Sequence, residues 1–193
     1  MANFKNAYDK TMGHEGGYVH DPDDAGGETY KGVARRFHPG WEGWKIIDGT
    51  KQAPNFPKNL DRLATIQQMV QNFYKHHYWD PFQGDDLPSQ DLGEEMFDTG
   101  VNMGIKRSVK FLQRSLNFLN RNGKLFPDMS DDGQLGPTTM MNLSIYLRVD
   151  SDELLLKIMN TLQASHYLNY MKKSPTQEKY CRGWFKRVQI TKT

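Results

Sequence analysis

The chain has one cysteine, Cys181, in 193 residues, so no intrachain disulfide can form and stability has to come from packing. Net charge is equally scarce. Twenty-five Lys and Arg against 23 Asp and Glu leave +2, too small an excess to suggest nucleic acid as a partner. No apolar run is long enough to span a bilayer, and the amino terminus lacks a continuous apolar core of the signal-peptide kind. Neither stable membrane insertion nor a leader is expected, and synthesis in the cytoplasm follows. Clean alternation of period two is missing, as are internal repeats and low-complexity segments, so helices are expected to dominate.

Two metal patterns each lack a decisive residue. His14-Glu15 begins like the HExxH zinc motif, but Tyr18 stands where the second histidine belongs. Asp21, Asp23 and Gly26 start like a calcium loop, yet Ala25 fills the fifth position and Gly32 the twelfth, where a bidentate glutamate is needed. His76 and His77 are adjacent and point to different faces. No metal and no cofactor are expected.

What the chain does have is a concentrated amino-terminal motif. Phe4, Ala7, Tyr8 and Met12 recur at helical spacing and predict a short amphipathic helix. The Gly16-Gly17 pair is suited to end it, which puts Glu15 in the last turn. There the helix dipole disfavours a negative charge, so the Glu15 carboxyl should hold its proton to higher pH, as a general acid requires. A surface glutamate at an imperfect helix end fits the same residues. The next stretch, Tyr18 to Lys31, is dense in Asp, Gly and Thr and reads as a tight structured loop. Asp24 can stay ionised there if loop amides donate to it. One carboxyl raised and one kept low is a pairing that cleaves glycosidic bonds.

The run His14-Glu15-Gly16-Gly17-Tyr18, then Asp21-Pro22, then Gly26-Gly27-Glu28-Thr29-Tyr30-Lys31-Gly32, resembles glycoside hydrolase family 108. That family comprises bacterial and phage N-acetylmuramidases of lysozyme-like type, some described as secretion activators. Further pieces come in order: Tyr78-Trp79-Asp80-Pro81, Gly84 to Pro88, Phe97 to Gly104, Phe111 to Arg114, Asp132 to Pro137 and Gly183 to Val188. The resemblance implies that Glu15 is the catalytic acid. It implies Asp24 and Thr29 as partners less directly, because phage-type lysozymes carry a threonine one residue later, which leaves Tyr30 as a competitor. Tyr18 and Tyr30 are candidate substrate contacts. Asn102 is a third, since the resemblance turns it toward the groove, although a helix-capping amide explains it equally well.

Elsewhere the elements are read from spacing and caps. Val33 to Phe37 suggests a helical turn. Trp41 and Trp44 are candidates for stacking on a sugar, with core packing the stronger claim. Leu60, Leu63, Ile66, Val70, Phe73, Tyr74 and His77 form a stripe closed by Asp80-Pro81. Ser89 is an N-cap for a helix from Gln90 to Val101. Val109, Leu112, Leu116 and Leu119 mark the next, stopped by Asn122-Gly123, and Pro137 opens another. Leu154, Leu155, Ile158, Leu162, Ser165 and Leu168 are taken as one face of the longest helix. Asp80 to Gly100 holds seven acids and no base, whereas Lys172 to Thr193 holds seven bases and one acid, 7 − 1 = +6. A solvated basic tail accounts for the second cluster more simply than an anionic partner.

The expected fold is mainly α, lysozyme-like and α+β at most, with two helical lobes around a substrate cleft. Residues 1–86 would form the catalytic region and 87–193 a helical, predicted peptidoglycan-binding region packed with it. The expected activity is cleavage of the β-1,4 bond between N-acetylmuramic acid and N-acetylglucosamine in peptidoglycan glycan strands. A chain made in the cytoplasm would then need a holin or secretion machinery to reach the wall. A lytic transglycosylase, a non-catalytic wall-binding accessory protein and a general interaction protein are the alternatives.

Overall fold

A computed structural model of the chain describes residues 1–12, 16–20 and 26–189. The fold is mainly helical, with one small sheet. The chain divides into two compact units: residues 8–77, and residues 1–7 together with 78–193.

In the smaller unit, helix α1 (Phe4–Met12) contributes the buried faces of Tyr8 and Met12, as its apolar spacing predicts, and with them the polar Thr11. A three-stranded antiparallel sheet comes next, with β1 (Tyr18–His20), β2 (Glu28–Tyr30) and β3 (Val33–Ala34) in sequence order. The helical turn expected from Val33 is therefore a strand. The reason is the preceding turn, in which Lys31 and Gly32 both take positive φ, 43° and 79°. That geometry folds a two-residue hairpin and commits Val33 and Ala34 to pairing with β2. The strands are two or three residues long, too short for their alternation to register in the sequence.

Helix α2 (Gly43–Thr50) was not foreseen, and it buries Trp44 and Ile47. Helix α3 (Ala64–Tyr74) buries Ile66, Val70, Phe73 and Tyr74, matching the predicted stripe. It runs into a π-helical turn at Lys75–Trp79 and a 3-10 turn at Asp80–Phe82.

The larger unit is built around Trp79, which is fully buried and meets Phe4, Phe82 and Phe97 edge-on. Its indole N–H donates to Asp85 at 2.9 Å. Helix α4 (Gln90–Met103) starts at Ser89, whose hydroxyl accepts from the Leu92 amide. Helix α5 (Ile105–Leu119) buries Val109, Leu112 and Leu116 and ends at a turn where Arg121, Asn122 and Gly123 all have positive φ. Helix α6 (Pro137–Tyr146) has Pro137 in its first turn, where the missing amide costs nothing.

Helix α7 (Asp152–Lys173) corrects the expected face. Its buried residues are Leu155, Met159, Asn160, Gln163, Tyr167 and Met171, while Leu154 and Leu168 are exposed. Polar partners on α4 decide this. Asn160 donates to Glu95 at 2.8 Å, and Gln163 donates to Thr99 at 3.1 Å, so two amides are buried because they are hydrogen-bonded. Nor is the carboxyl-terminal segment a loose tail. A 3-10 turn (Pro175–Tyr180) and helix α8 (Cys181–Phe185) pack Trp184 against Tyr167, and Arg187 pairs with Asp98 at 2.6 Å.

Candidate active site

Glu15 and Asp24 lie outside the described residues. The chain on both sides of them is described. Strand β1 pairs with β2 in the register Tyr18↔Tyr30, Val19↔Thr29 and His20↔Glu28, so the segment that contains Asp24 leaves from His20 and returns at Glu28. Side chains alternate across a strand. Tyr18, Glu28, Tyr30 and Val33 therefore share one face of the sheet, and Val19, Thr29 and Ala34 share the other.

Thr29 is half-buried on the second face, beside an exposed Val19. Its hydroxyl donates to the Gly27 carbonyl at 3.3 Å, which leaves the oxygen's lone pairs for another donor. Tyr30 is different. It is 1% exposed and its phenol oxygen accepts from Gln67 Nε2 at 2.7 Å, so as it stands it offers almost no surface to a sugar. Tyr18 is half-buried and meets Phe56 edge-on at 4.7 Å. Burial, then the hydrogen bond to Glu28 and its charge, push the Tyr18 phenol up.

The Lys31-Gly32 turn is locked from behind. The Tyr74 hydroxyl donates to the Lys31 carbonyl at 3.0 Å, and a Cβ on Gly32 would stand 2.2 Å from that same hydroxyl oxygen. The Lys31 amide donates to Gly17 at 3.2 Å, which ties the Gly16-Gly17 end of the motif to the sheet.

Glu28 is the residue that sequence reasoning passed over. Its carboxylate is 8% exposed and takes three donors: Tyr18 Oη at 2.9 Å, Arg35 Nη1 at 2.6 Å and Lys51 Nζ at 2.8 Å. Burial by itself would raise its pKa, but the bonds from Lys51, Arg35 and Tyr18 outweigh that and hold it below the ordinary carboxylate value. Arg35 and Lys51 also grip Asp48 on α2, and the Arg35 guanidinium lies 5.1 Å from the Trp44 ring centre. The strand that succeeds the Asp24 segment is thus fastened to α2 by alternating charges. Glu28 stands inside the run from Gly26 to Gly32, but nothing in that run marks it as buried. A glutamate in a polar loop reads as solvated until its three donors, 7 to 23 residues downstream or 10 upstream, are brought together.

Among the other candidates, Trp44 is buried and donates from its indole to the His38 carbonyl at 2.8 Å. Trp41 is edge-on to it at 5.3 Å. Both are engaged in packing. Asn102, in the larger unit, is exposed on α4; its amide donates to the Asp98 carbonyl at 2.8 Å, the back-bonding geometry of a polar residue on a helix. Among the described residues, no group of three or more His, Cys, Asp and Glu is arranged to hold a metal.

Residues 8–104 match the family model described as Glycosyl hydrolase 108. The chain belongs to that family. Residues 107–189 match a second model, described as Predicted Peptidoglycan domain. The family 108 protein is accordingly a glycoside hydrolase acting on peptidoglycan, and it works at the cell wall. A solved structure of SagA from Brucella abortus resembles it with a TM-score of 0.61 and 24% identity, over 96% of this chain and 88% of that one. At that identity the likeness speaks to the fold. No curated protein matches the chain. The glycosyl hydrolase match spans Glu15, Asp24 and Thr29, and it includes all of the Glu28 network. No helix of this hydrolase, among the described residues, is long and apolar enough to cross a membrane.

Proposed function

We propose that this hydrolase is an N-acetylmuramidase that cleaves the β-1,4 bond between N-acetylmuramic acid and N-acetylglucosamine. Protonated Glu15 donates to the bridging oxygen as positive charge builds on the sugar ring. Asp24, with the Thr29 hydroxyl, orients and deprotonates the attacking water. Inversion follows if the two carboxyls stand about 6.5–9.5 Å apart. Tyr18 and Asn102 contact the sugars through a phenol and an amide. Tyr30, enclosed as it is, holds the sheet that carries Thr29.

The observation that carries this reading is the family match over residues 8–104. The hairpin supports it, because the Val19↔Thr29 pairing keeps the threonine next to the strand ends from which the Asp24 segment departs. In this reading the protein serves as an endolysin or a secretion activator, and a holin or secretion machinery delivers it to the wall.

Digestion of purified peptidoglycan, with mass spectrometry of the released fragments, tests the proposal. The wild type should release reducing muramic-acid ends, and Glu15→Gln should lose at least about a hundredfold in rate. Anhydro ends would reassign the reaction to a lytic transglycosylase, and wall binding without cleavage would leave an accessory module.

A further inference from the structure

The carboxyl-terminal part of the larger unit presents an aromatic cluster that is only half used by the core. Tyr167, 4% exposed, stacks on Trp184 with ring centres 5.0 Å apart and planes 10° apart. That pair is the anchor. Two further phenols abut the same indole, Tyr170 at 5.9 Å and Tyr180 at 5.7 Å, and these are 44% and 48% exposed. His166 lies parallel to Tyr170 at 6.3 Å, extending the row. Rings that have already been brought together but remain open to water forgo the apolar burial that drives packing, and contiguous exposed rings mark a binding surface more often than a stray hydrophobe does.

Cations flank these rings. Lys179 Nζ lies 4.9 Å from the centre of the Tyr180 ring. Lys173 follows Tyr170 by three residues on α7, which sets the two side chains on one side of the helix, and with Arg107 it adds to burial in pushing the His166 pKa down. From Lys172 to Gln189 the chain carries six bases and one acid, 6 − 1 = +5, and of these bases Arg187 is engaged by Asp98. A partner for this surface needs flat, partly apolar faces for the rings, hydroxyls for the phenols, and negative charge for the lysines.

We propose that Tyr170, Tyr180 and Trp184, flanked by Lys173 and Lys179, form a binding platform for a peptidoglycan strand. Sugar rings stack on the exposed aromatic faces, and carboxylates of the stem peptides meet the lysines. The platform rests on peptidoglycan being the polymer that the hydrolase acts on, and it assigns residues to the binding that residues 107–189 provide. An anionic membrane shares the charge requirement. The exposed rings here are mainly phenols, which suit a hydroxylated polymer better than a lipid interior.

The test is co-sedimentation of the full-length protein with purified peptidoglycan, on ice to suppress cleavage. Vesicles of equal parts phosphatidylglycerol and phosphatidylcholine form a second arm. Two double variants are compared with the wild type, Tyr170→Ala with Tyr180→Ala and Lys173→Gln with Lys179→Gln, and their melting is followed by circular dichroism. Each folded variant should raise the Kd for peptidoglycan about tenfold, and added salt should weaken the wild type toward the lysine variant. The lysine pair is exposed, so it keeps the test decisive if the tyrosine pair disturbs folding. Folded lysine variants that bind like the wild type would overturn the platform, and so would a loss confined to the vesicles. If those variants bind normally while the wild type cleaves, the platform alone falls. A wild type that neither binds nor cleaves peptidoglycan removes the proposed function as well.

Discussion

Arg35 holds Asp48 with both terminal guanidinium nitrogens, Nη1 to Oδ1 at 2.8 Å and Nη2 to Oδ2 at 2.5 Å. The same Nη1 reaches Glu28 at 2.6 Å, so one planar cation joins the end of β3, the start of β2 and helix α2. Asp48 is substantially exposed, and its half of the arrangement contributes little stability. Glu28 is where the energy lies. Arg35→Ala removes one of three donors from an enclosed carboxylate and should destabilise the protein by about 1–3 kcal/mol. Arg35→Lys should recover only part of that, because an ammonium cannot serve the fork. Urea unfolding of the three proteins decides it.

Acidification should act in two steps. His38 is pushed below 6.5 by burial and then by His77, and His166 by burial and then by Arg107 and Lys173. The unfolded chain therefore takes up these protons first, and stability starts to fall as pH drops through about 6.5. Glu28 is held below 4.5 by its bonds from Lys51, Arg35 and Tyr18, which outweigh burial, and Asp48 well below 3.8 by Arg35 and then Lys51. Their stabilisation is complete above those unfolded values and is lost as pH falls through the lower folded ones. Urea midpoints followed from neutral pH downward should show both declines. Glu28→Gln should flatten the lower one and leave the upper unchanged.

Gly32 should tolerate no side chain. Its φ of 79° strains any L-residue, and an added Cβ would meet Tyr74 Oη at 2.2 Å. Gly32→Ala should cost more than about 1 kcal/mol from the backbone alone, plus the displaced Tyr74 hydrogen bond to Lys31. Adding Tyr74→Phe should relieve the contact but leave the φ strain. A double-mutant cycle measured by thermal melting would then show a coupling of the relieving sign.

Gln113 is 2% exposed and staples the Asp132-Gly133-Gln134 turn to α5. Its amide nitrogen donates to Asp132, the Gln134 carbonyl and Thr139 at 3.0–3.2 Å, and its oxygen accepts from the Gly133 amide at 2.9 Å. Gln113→Leu fills the space but leaves buried polar groups without partners. It should cost about 1–3 kcal/mol, read from the shift in urea midpoint, with peptidoglycan cleavage by the folded fraction unchanged.

Thr29→Val should keep the β1–β2 pairing, since valine suits a strand, and should slow peptidoglycan cleavage about tenfold or more if the hydroxyl helps to hold the water. Thr29→Ser should retain most activity. Equal rates for wild type and Thr29→Val, measured at saturating peptidoglycan, would remove Thr29 from the proposed chemistry.

Local chemistry carried much of the helical organisation. The Ser89 cap, Pro137 in a first turn and the Asn122-Gly123 stop are short-range signals: α4 begins after the first, α6 begins at the second and α5 ends just before the third. The apolar spacing of α1 and α3 likewise named their buried faces. The ordered motifs, from His14 to Gly32 and onward to the run from Gly183 to Val188, suggested the family that the comparison then showed.

Tertiary structure decided what short-range signals do not encode. Which face of α7 is buried depended on Glu95 and Thr99 arriving from α4 to accept from the amide nitrogens of Asn160 and Gln163, so leucines that look like core residues stay outside. The sheet depended on a positive-φ turn at Lys31-Gly32 rather than on any alternation along its short strands. Tyr30 and Thr29, adjacent in sequence and equal as candidates, were sent to opposite faces by strand register, one enclosed beside Gln67 and one half open beside Val19. Glu28 became a buried anion only because Tyr18, Arg35 and Lys51 converge on it. For α7 and for Glu28 the deciding partners are distant along the chain, and a charge or amide is readily buried only where such a partner meets it.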